Sequence, residues 1–131
     1  MKESRLYKQV GNNAVICRTC HHFCRIDSGA RGRCGVRVNS GGRLWFMAFD
    51  KVIAASVDPI EKKPIYHLKP GSLSYSIATP GCNLTCRFCQ NSDIAQMPVE
   101  HNGRIQGRAI PPGAIVSAAR QAGCQSISYT Y

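Results

Sequence analysis

Between residues 72 and 79 the chain alternates small polar and apolar side chains, Ser72, Ser74 and Ser76 against Leu73, Tyr75 and Ile77. This is the two-residue period of a β-strand, and Pro80-Gly81 ends it. Residues 113–122 are rich in alanine, with Pro111-Pro112 before them and Gly123 after, and predict a helix marked by proline at its start and glycine past its end. Residues 125–131 predict a second strand. Strand, loop, helix and strand form a βαβ unit, which requires parallel pairing and a right-handed crossover.

Upstream the pattern is shorter. Gly35-Val36-Arg37-Val38 and Arg43-Leu44-Trp45-Phe46 flank Asn39-Ser40-Gly41-Gly42, whose residues tolerate the positive dihedrals of a tight hairpin connection. This hairpin closes a module spanning residues 14 to about 47. Val52 to Val57 is a further apolar run, ended by Asp58-Pro59. Residues 61–71, with two prolines and no period, predict an ordered loop. The expected organisation is an N-terminal cysteine-rich module with hairpin and linker, 1–71, followed by an α/β region, 72–131. One βαβ unit leaves the faces of a parallel sheet open to water, so the second region is expected to be the beginning of a longer α/β barrel or open sheet.

The chain has 131 residues, enough for one ordinary domain or a small module and part of a larger one. Its first residues hold no apolar run of signal-peptide length, and no stretch approaches the roughly 20 apolar residues of a membrane span. A soluble, cytoplasmic protein is expected. Eight cysteines in such a chain point to metal binding rather than to a disulfide scaffold. Seven of them fall in two tight groups, while Cys124 reads as a small buried hydrophobe. The formal net charge of +10 raises nucleic acid as a partner. However, Arg18, Arg25, Arg31, Arg33, Arg37 and Arg43 cluster round the first cysteine group with no run of aromatic residues to stack bases. A solvated basic face is the preferred reading, and an acidic protein partner would account for the charge equally well.

Cys82, Cys86 and Cys89 lie in one loop that follows the first strand of the βαβ unit. Three thiolates suit an iron-sulfur cluster, and a fourth iron without a protein thiolate is open to a small-molecule ligand. The alternatives are a zinc knuckle, a disulfide with one stranded thiol, or buried thiols. Cys17, Cys20, Cys24 and Cys34 offer four further thiolates, with His21 or His22 as replacements. A structural zinc site, a second iron-sulfur cluster and a metal-free cysteine cluster all fit that spacing. Adjacent histidines do not easily face one metal, and for each a solvent-exposed ring is the preferred reading. His67 and His101 lie in loops and are assigned nothing.

Cys82-Asn83-Leu84-Thr85-Cys86-Arg87-Phe88-Cys89, after a first strand and before a first helix, resembles the cysteine loop of radical SAM enzymes. With Cys-Arg-Thr-Cys-His-His-Phe-Cys at 17–24, Gly-Arg-Cys-Gly-Val-Arg-Val-Asn at 32–39 and Ser-Ile-Ser-Tyr-Thr-Tyr at 126–131, the chain is more narrowly similar to the AmmeMemoRadiSam system radical SAM enzymes. These are relatives of the pyruvate formate-lyase activating enzymes. The resemblance runs from about Val15 onward. It implies a partial (β/α) barrel begun by the βαβ unit, and a 4Fe-4S cluster on Cys82, Cys86 and Cys89 whose open iron takes S-adenosylmethionine. Phe88 would lie beside the cluster and the adenine; its alternative role is a core aromatic. The implied activity is reductive cleavage of S-adenosylmethionine to a 5'-deoxyadenosyl radical that abstracts hydrogen from a substrate, served by an electron donor of flavodoxin or ferredoxin type. A glycyl-radical activase, with a protein as substrate, is a second option. A non-catalytic metal module contacting RNA or an acidic protein is a third. The family's later strands, with their ribose contacts and substrate pocket, have no counterpart in these 131 residues, so the fragment is expected to assemble a cluster but not to turn over alone.

Overall fold

In the computed structural model, which describes residues 1–130, the chain is mixed α/β and forms two compact units, each assembled from two segments. The first unit comprises Met1–Phe49 and Pro80–Gln106, the second Asp50–Thr79 and the segment from Gly107 onward.

The first unit contains β1 (Lys2–Glu3), β2 (Tyr7–Val10), β3 (Ala14–Cys17), β4 (Arg25–Ile26), β5 (Arg37–Ser40) and β6 (Arg43–Phe46). They make two small antiparallel sheets, ordered β2-β3-β4 and β1-β6-β5. The expected hairpin is present. Ser40 pairs with Arg43, so the connection is the two residues Gly41 and Gly42, at φ +59° and +84°, the positive pair that matches the twist of the flanking strands. Asn39 belongs to β5 and is fully buried. Its Nδ2 donates to the carbonyls of Asn13 and Ile26, both at 2.8 Å, and its Oδ1 accepts from the Gly42 amide at 2.9 Å. One side chain thus joins the hairpin to the β2–β3 turn and to β4. The apolar core is small: Val15, Cys17, Ile26 and Leu44, with Tyr7 and Cys24 against it. In the second segment α1 (Ser92–Ala95) and α2 (Met97–Glu100) are single turns of helix where the sequence predicts only a polar loop.

The second unit contains β7 (Lys51–Val52), β8 (Ala54–Pro59), β9 (Leu73–Ala78), β10 (Arg108–Ala109), α3 (Pro112–Gln121) and β11 (Ser126–Tyr129). β9 and β11 pair in parallel, Ser126 with Ser74 through Tyr129 with Ile77, and α3 lies between them in sequence. The βαβ unit is therefore present; Tyr131, the last residue of the predicted second strand, lies outside the described residues. β8 adds antiparallel on the other edge of β9, giving the order β11-β9-β8, and among the described residues no sheet closes into a barrel. The core is Val52, Ile77 and Ile115, with Tyr75, Ile110 and Ile127 packed on it. α3 buries Ile115 and Ala119, one helical turn apart and so on one face. The apolar run at 52–57 does not behave as a core strand. Ala54 through Val57 are exposed, and the buried residue of β8 is Asp58. The serines of β9 are likewise inside: Ser74 and Ser76 are buried, Ser76 donating to Asp58 at 2.6 Å and Ser74 sharing a 2.7 Å hydrogen bond with Ser128. Within the predicted loop 61–71, Glu61 accepts from the Gly71 amide at 2.7 Å and ties its ends together.

Candidate metal centre

Seven of the eight cysteines belong to the first unit, although 47 residues separate Cys34 from Cys82 in sequence. Cys17 ends β3 and is buried; Cys20, Cys24 and Cys34 are half-buried, as are Cys82 and Cys89, and Cys86 is exposed. None forms a disulfide. Cys124, in the second unit between α3 and β11, is half-buried where a small buried hydrophobe was expected.

The loop after Pro80 is anchored by close backbone approach. Gly81 has φ +94°, and a Cβ there would run into the Val36 side chain and lie 3.0 Å from the Cys34 carbonyl oxygen. Gly35, at φ +72°, meets Pro98 equally closely: a Cβ would stand 2.7 Å from Pro98 Cβ. Only glycine accepts both the conformation and the crowding. The Gly81 amide donates to the Ile94 carbonyl at 3.2 Å. Beyond it the chain turns without regular structure, with the Leu84 amide donating to Cys82 Sγ at 3.5 Å and the Cys89 amide to the Cys86 carbonyl at 3.2 Å.

Two side chains hold this loop from outside. His22 Nε2 lies 2.6 Å from the Asn83 carbonyl oxygen; the carbonyl can only accept, so Nε2 carries the proton. Gln96 Nε2 donates to the Leu84 carbonyl at 2.8 Å. Neither role was read from the sequence. The His21-His22 pair is a visible signal, and His22 is exposed, as its expected solvent-exposed ring requires, while still bonded at one nitrogen. Gln96 carried no signal. Phe88 is 87% exposed, which removes its alternative role as a core aromatic.

Round the first cysteine group the backbone is equally specific. The Cys17 amide donates to the Cys24 carbonyl at 2.9 Å, the Phe23 amide to the Cys20 carbonyl at 3.3 Å, and Phe23 has φ +44°. The Gly35 amide donates to the Gly32 carbonyl at 2.9 Å, making the turn that carries Cys34. Burial pushes the Cys34 thiol up, opposed by the amides of Val36 and Arg37, which point at its sulfur. Burial also lowers the Arg37 guanidinium, opposed by the sulfurs of Cys17, Cys34 and Cys20 around it. Arg37 donates to Ser4 Oγ at 2.7 Å and stacks 4.0 Å over the Phe46 ring. The donor chemistry of both groups, free soft thiols with amides directed at sulfur, fits thiolate-bound metal or cluster. Among the described residues no three Cys, His, Asp or Glu side chains are drawn together as closely as ligands of one ion. No helix described is long and apolar enough to cross a membrane.

Compared with known proteins, no family model and no solved structure matches the chain. It is 40% identical over all 131 residues to an uncharacterized protein of Methanocaldococcus jannaschii, MJ0808, and spans 38% of that protein's length.

Proposed function

We propose that this chain carries the cluster- and cofactor-binding part of a radical SAM enzyme, with β9, α3 and β11 as the beginning of its partial barrel. The observation that carries the reading is the loop after β9, which offers three disulfide-free thiols within eight residues, Cys86 among them exposed. Cys82, Cys86 and Cys89 would hold a 4Fe-4S cluster and leave one iron for the amino and carboxylate groups of S-adenosylmethionine. When bound, these groups supply one-electron reductive cleavage of the sulfonium to methionine and a 5'-deoxyadenosyl radical that abstracts hydrogen from the substrate. The chain's own work is positional. Gly81 fixes where the loop leaves Pro80, His22 and Gln96 hold its carbonyls, and the Leu84 amide donates to Cys82 Sγ. Phe88, with 87% of its surface open, is available to cover the cluster and the adenine. Reduced thiols and a low-potential electron donor of flavodoxin or ferredoxin type go with a cytoplasmic setting.

Anaerobic reconstitution with iron and sulfide tests this. About four irons per chain are expected at the 82–89 loop, with an EPR signal of the reduced cluster that changes on adding S-adenosylmethionine. Cys86→Ser should abolish it. A Cys86→Ser chain with a normal cluster, or stable zinc at that loop, would overturn the assignment.

A further inference from the structure

We infer that the surface shared by the loops at 17–24, 32–36 and 82–89 is the docking face for an acidic protein that delivers one electron to the site. The inference rests on the cluster reading of the 82–89 loop, because the reductive cleavage proposed there consumes an electron. The face itself is built from side chains assigned to no metal.

The three loops meet in the first unit. His22 Nε2 of the first lies 2.6 Å from the Asn83 carbonyl oxygen of the third, and Gly81, at the root of the third, packs on the Cys34 carbonyl of the second. Each loop exposes one arginine, Arg18, Arg33 and Arg87, and among the described residues none of the three forms an ion pair. The segments 17–26, 28–49 and 80–92 contain no Asp or Glu. The whole unit holds eleven Lys and Arg against four Asp and Glu, and two of those four, Glu3 and Asp27, are already paired with Arg43 and Arg25. A positive field that is not cancelled locally draws an oppositely charged partner and orients it.

The same loops expose apolar side chains. Phe23 and Leu84 are each 54% exposed, and the Phe23 ring stands edge-on to that of His21, with centroids 6.2 Å apart. Exposed aromatic and arginine side chains with a carboxylate-free surround are the composition of the centre of a protein interface. Three arginines are few for a polyphosphate, and Leu84 offers no ring on which a base stacks, so the face suits a protein better than a nucleic acid. Electron-transfer encounters use small, weak interfaces of this kind. Cys86 is exposed beside Arg87, so a protein seated on Arg87 stands next to a thiol of the proposed cluster. The step served is transfer of one electron: the donor loses it, the cluster gains it, and no atom or proton changes hands.

The test titrates the full chain, first without a cluster and then reconstituted, with an acidic flavodoxin and follows binding by calorimetry. Affinity should fall at least about tenfold between about 0.02 and about 0.3 M salt. Arg18→Glu, Arg33→Glu and Arg87→Glu together should abolish binding, while the same three positions changed to Lys should retain most of it. A control with the same change in net charge, Lys69→Glu, Arg108→Glu and Arg120→Glu, all at exposed positions of the second unit, should bind as the wild type does. Amide exchange of the first unit shows whether each variant is folded. In reconstituted protein, dithionite should reduce wild type and the Arg-to-Glu chain at equal rates, whereas reduced flavodoxin should reduce only the wild type quickly. A chain that assembles no cluster sinks the cluster reading, and binding by the cluster-free chain still decides the face. Binding that is absent in both forms, that ignores salt, that falls equally in the second-unit control, or that goes to an RNA oligonucleotide and not to flavodoxin would each overturn the inference.

Discussion

The two units solve the problem of a small core in different ways. The second is a sheet with a helix, and the polar groups it buries answer one another. Asp58 accepts from Lys63 at 2.8 Å, Lys62 at 2.9 Å and Ser76 at 2.6 Å, so a carboxylate with 8% exposure is fully bonded inside the β8–β9 pair. The first unit has short strands, a core cluster of four buried residues and seven cysteines. It is held by glycine turns, by backbone approaches such as Gly81 on Val36, and by the Asn39 amide. The difference separates scaffold from chemistry: the unit richest in reactive side chains is built from short strands and joined by single polar contacts and glycine approaches, beside a core no larger than a few side chains. Amide hydrogen exchange, read separately for each unit, is the natural measurement.

The largest effect is expected at Asn39. Asn39→Ala leaves two buried carbonyls and one amide without their partner, costing about 3–5 kcal/mol, and should lower protection in residues 1–49 far more than in residues 50–79. Asn39→Asp keeps the acceptor for Gly42 and loses the donors, and should be intermediate. Equal loss of protection in both units would break the comparison.

Asp58→Ala is the counterpart in the second unit. It strands Lys63, whose side chain is only 13% exposed, and should cost about 2–4 kcal/mol. The bonds from Lys63, Ser76 and Lys62 hold the Asp58 carboxyl well below the usual carboxylate range. Its folded form therefore stays charged where the unfolded chain takes up a proton. The stability it contributes is complete above the ordinary value of 3.8 and falls away as pH drops below that value. Denaturant midpoints between pH 7 and 3 should decline for the wild type and more shallowly for Asp58→Ala.

The second unit was the more legible in sequence, because period and punctuation act locally: the alternation at 72–79, the alanine-rich 113–122 and the Pro-Gly stop predict β9, α3 and the βαβ order. The side of burial was not legible there. Ser76 and Asp58 are inside bonded to each other, and Ser74 is inside bonded to Ser128, pairings across β8, β9 and β11 that hydropathy along one strand does not reveal. In the first unit the Gly-Gly hairpin was plain, but β2 was missed, although Gly11-Asn12-Asn13, with Asn12 and Asn13 at φ +61° and +56°, is turn chemistry between Tyr7–Val10 and Ala14–Cys17. Cysteine spacing named the candidate ligands. It did not reveal that residues 80–106 would group with residues 1–49, since that rests on close approaches of glycines to residues far away in the chain, Gly35 to Pro98 and Gly81 to Val36.

Gly81→Ala probes that grouping directly. The new methyl meets both the strain of φ +94° and the Val36 side chain, an expected cost of about 1–3 kcal/mol. Raised exchange should appear at 80–89, and cluster yield on reconstitution should fall. Val36→Ala in the same chain makes room and should restore part of the loss; failure to do so would mean that strain at Gly81, not crowding, fixes the loop.

The smallest expected effect is the most specific. His22 touches the loop through one hydrogen bond at an exposed position, so His22→Ala should change global stability by no more than about 1 kcal/mol. Its local effect should be larger in kind, because the bonded Asn83 carbonyl lies between Cys82 and Cys86. Exchange at Leu84 and its neighbours should quicken, and the EPR signal of a reconstituted cluster should broaden as the loop samples more than one arrangement. His22→Gln, which retains an N–H of similar reach, should recover both readouts. A purely structural histidine would instead lower stability in step with any spectral change and would not be rescued by glutamine. If His22→Ala leaves the loop's exchange and spectrum untouched, the first unit's two cysteine groups are neighbours without being coupled.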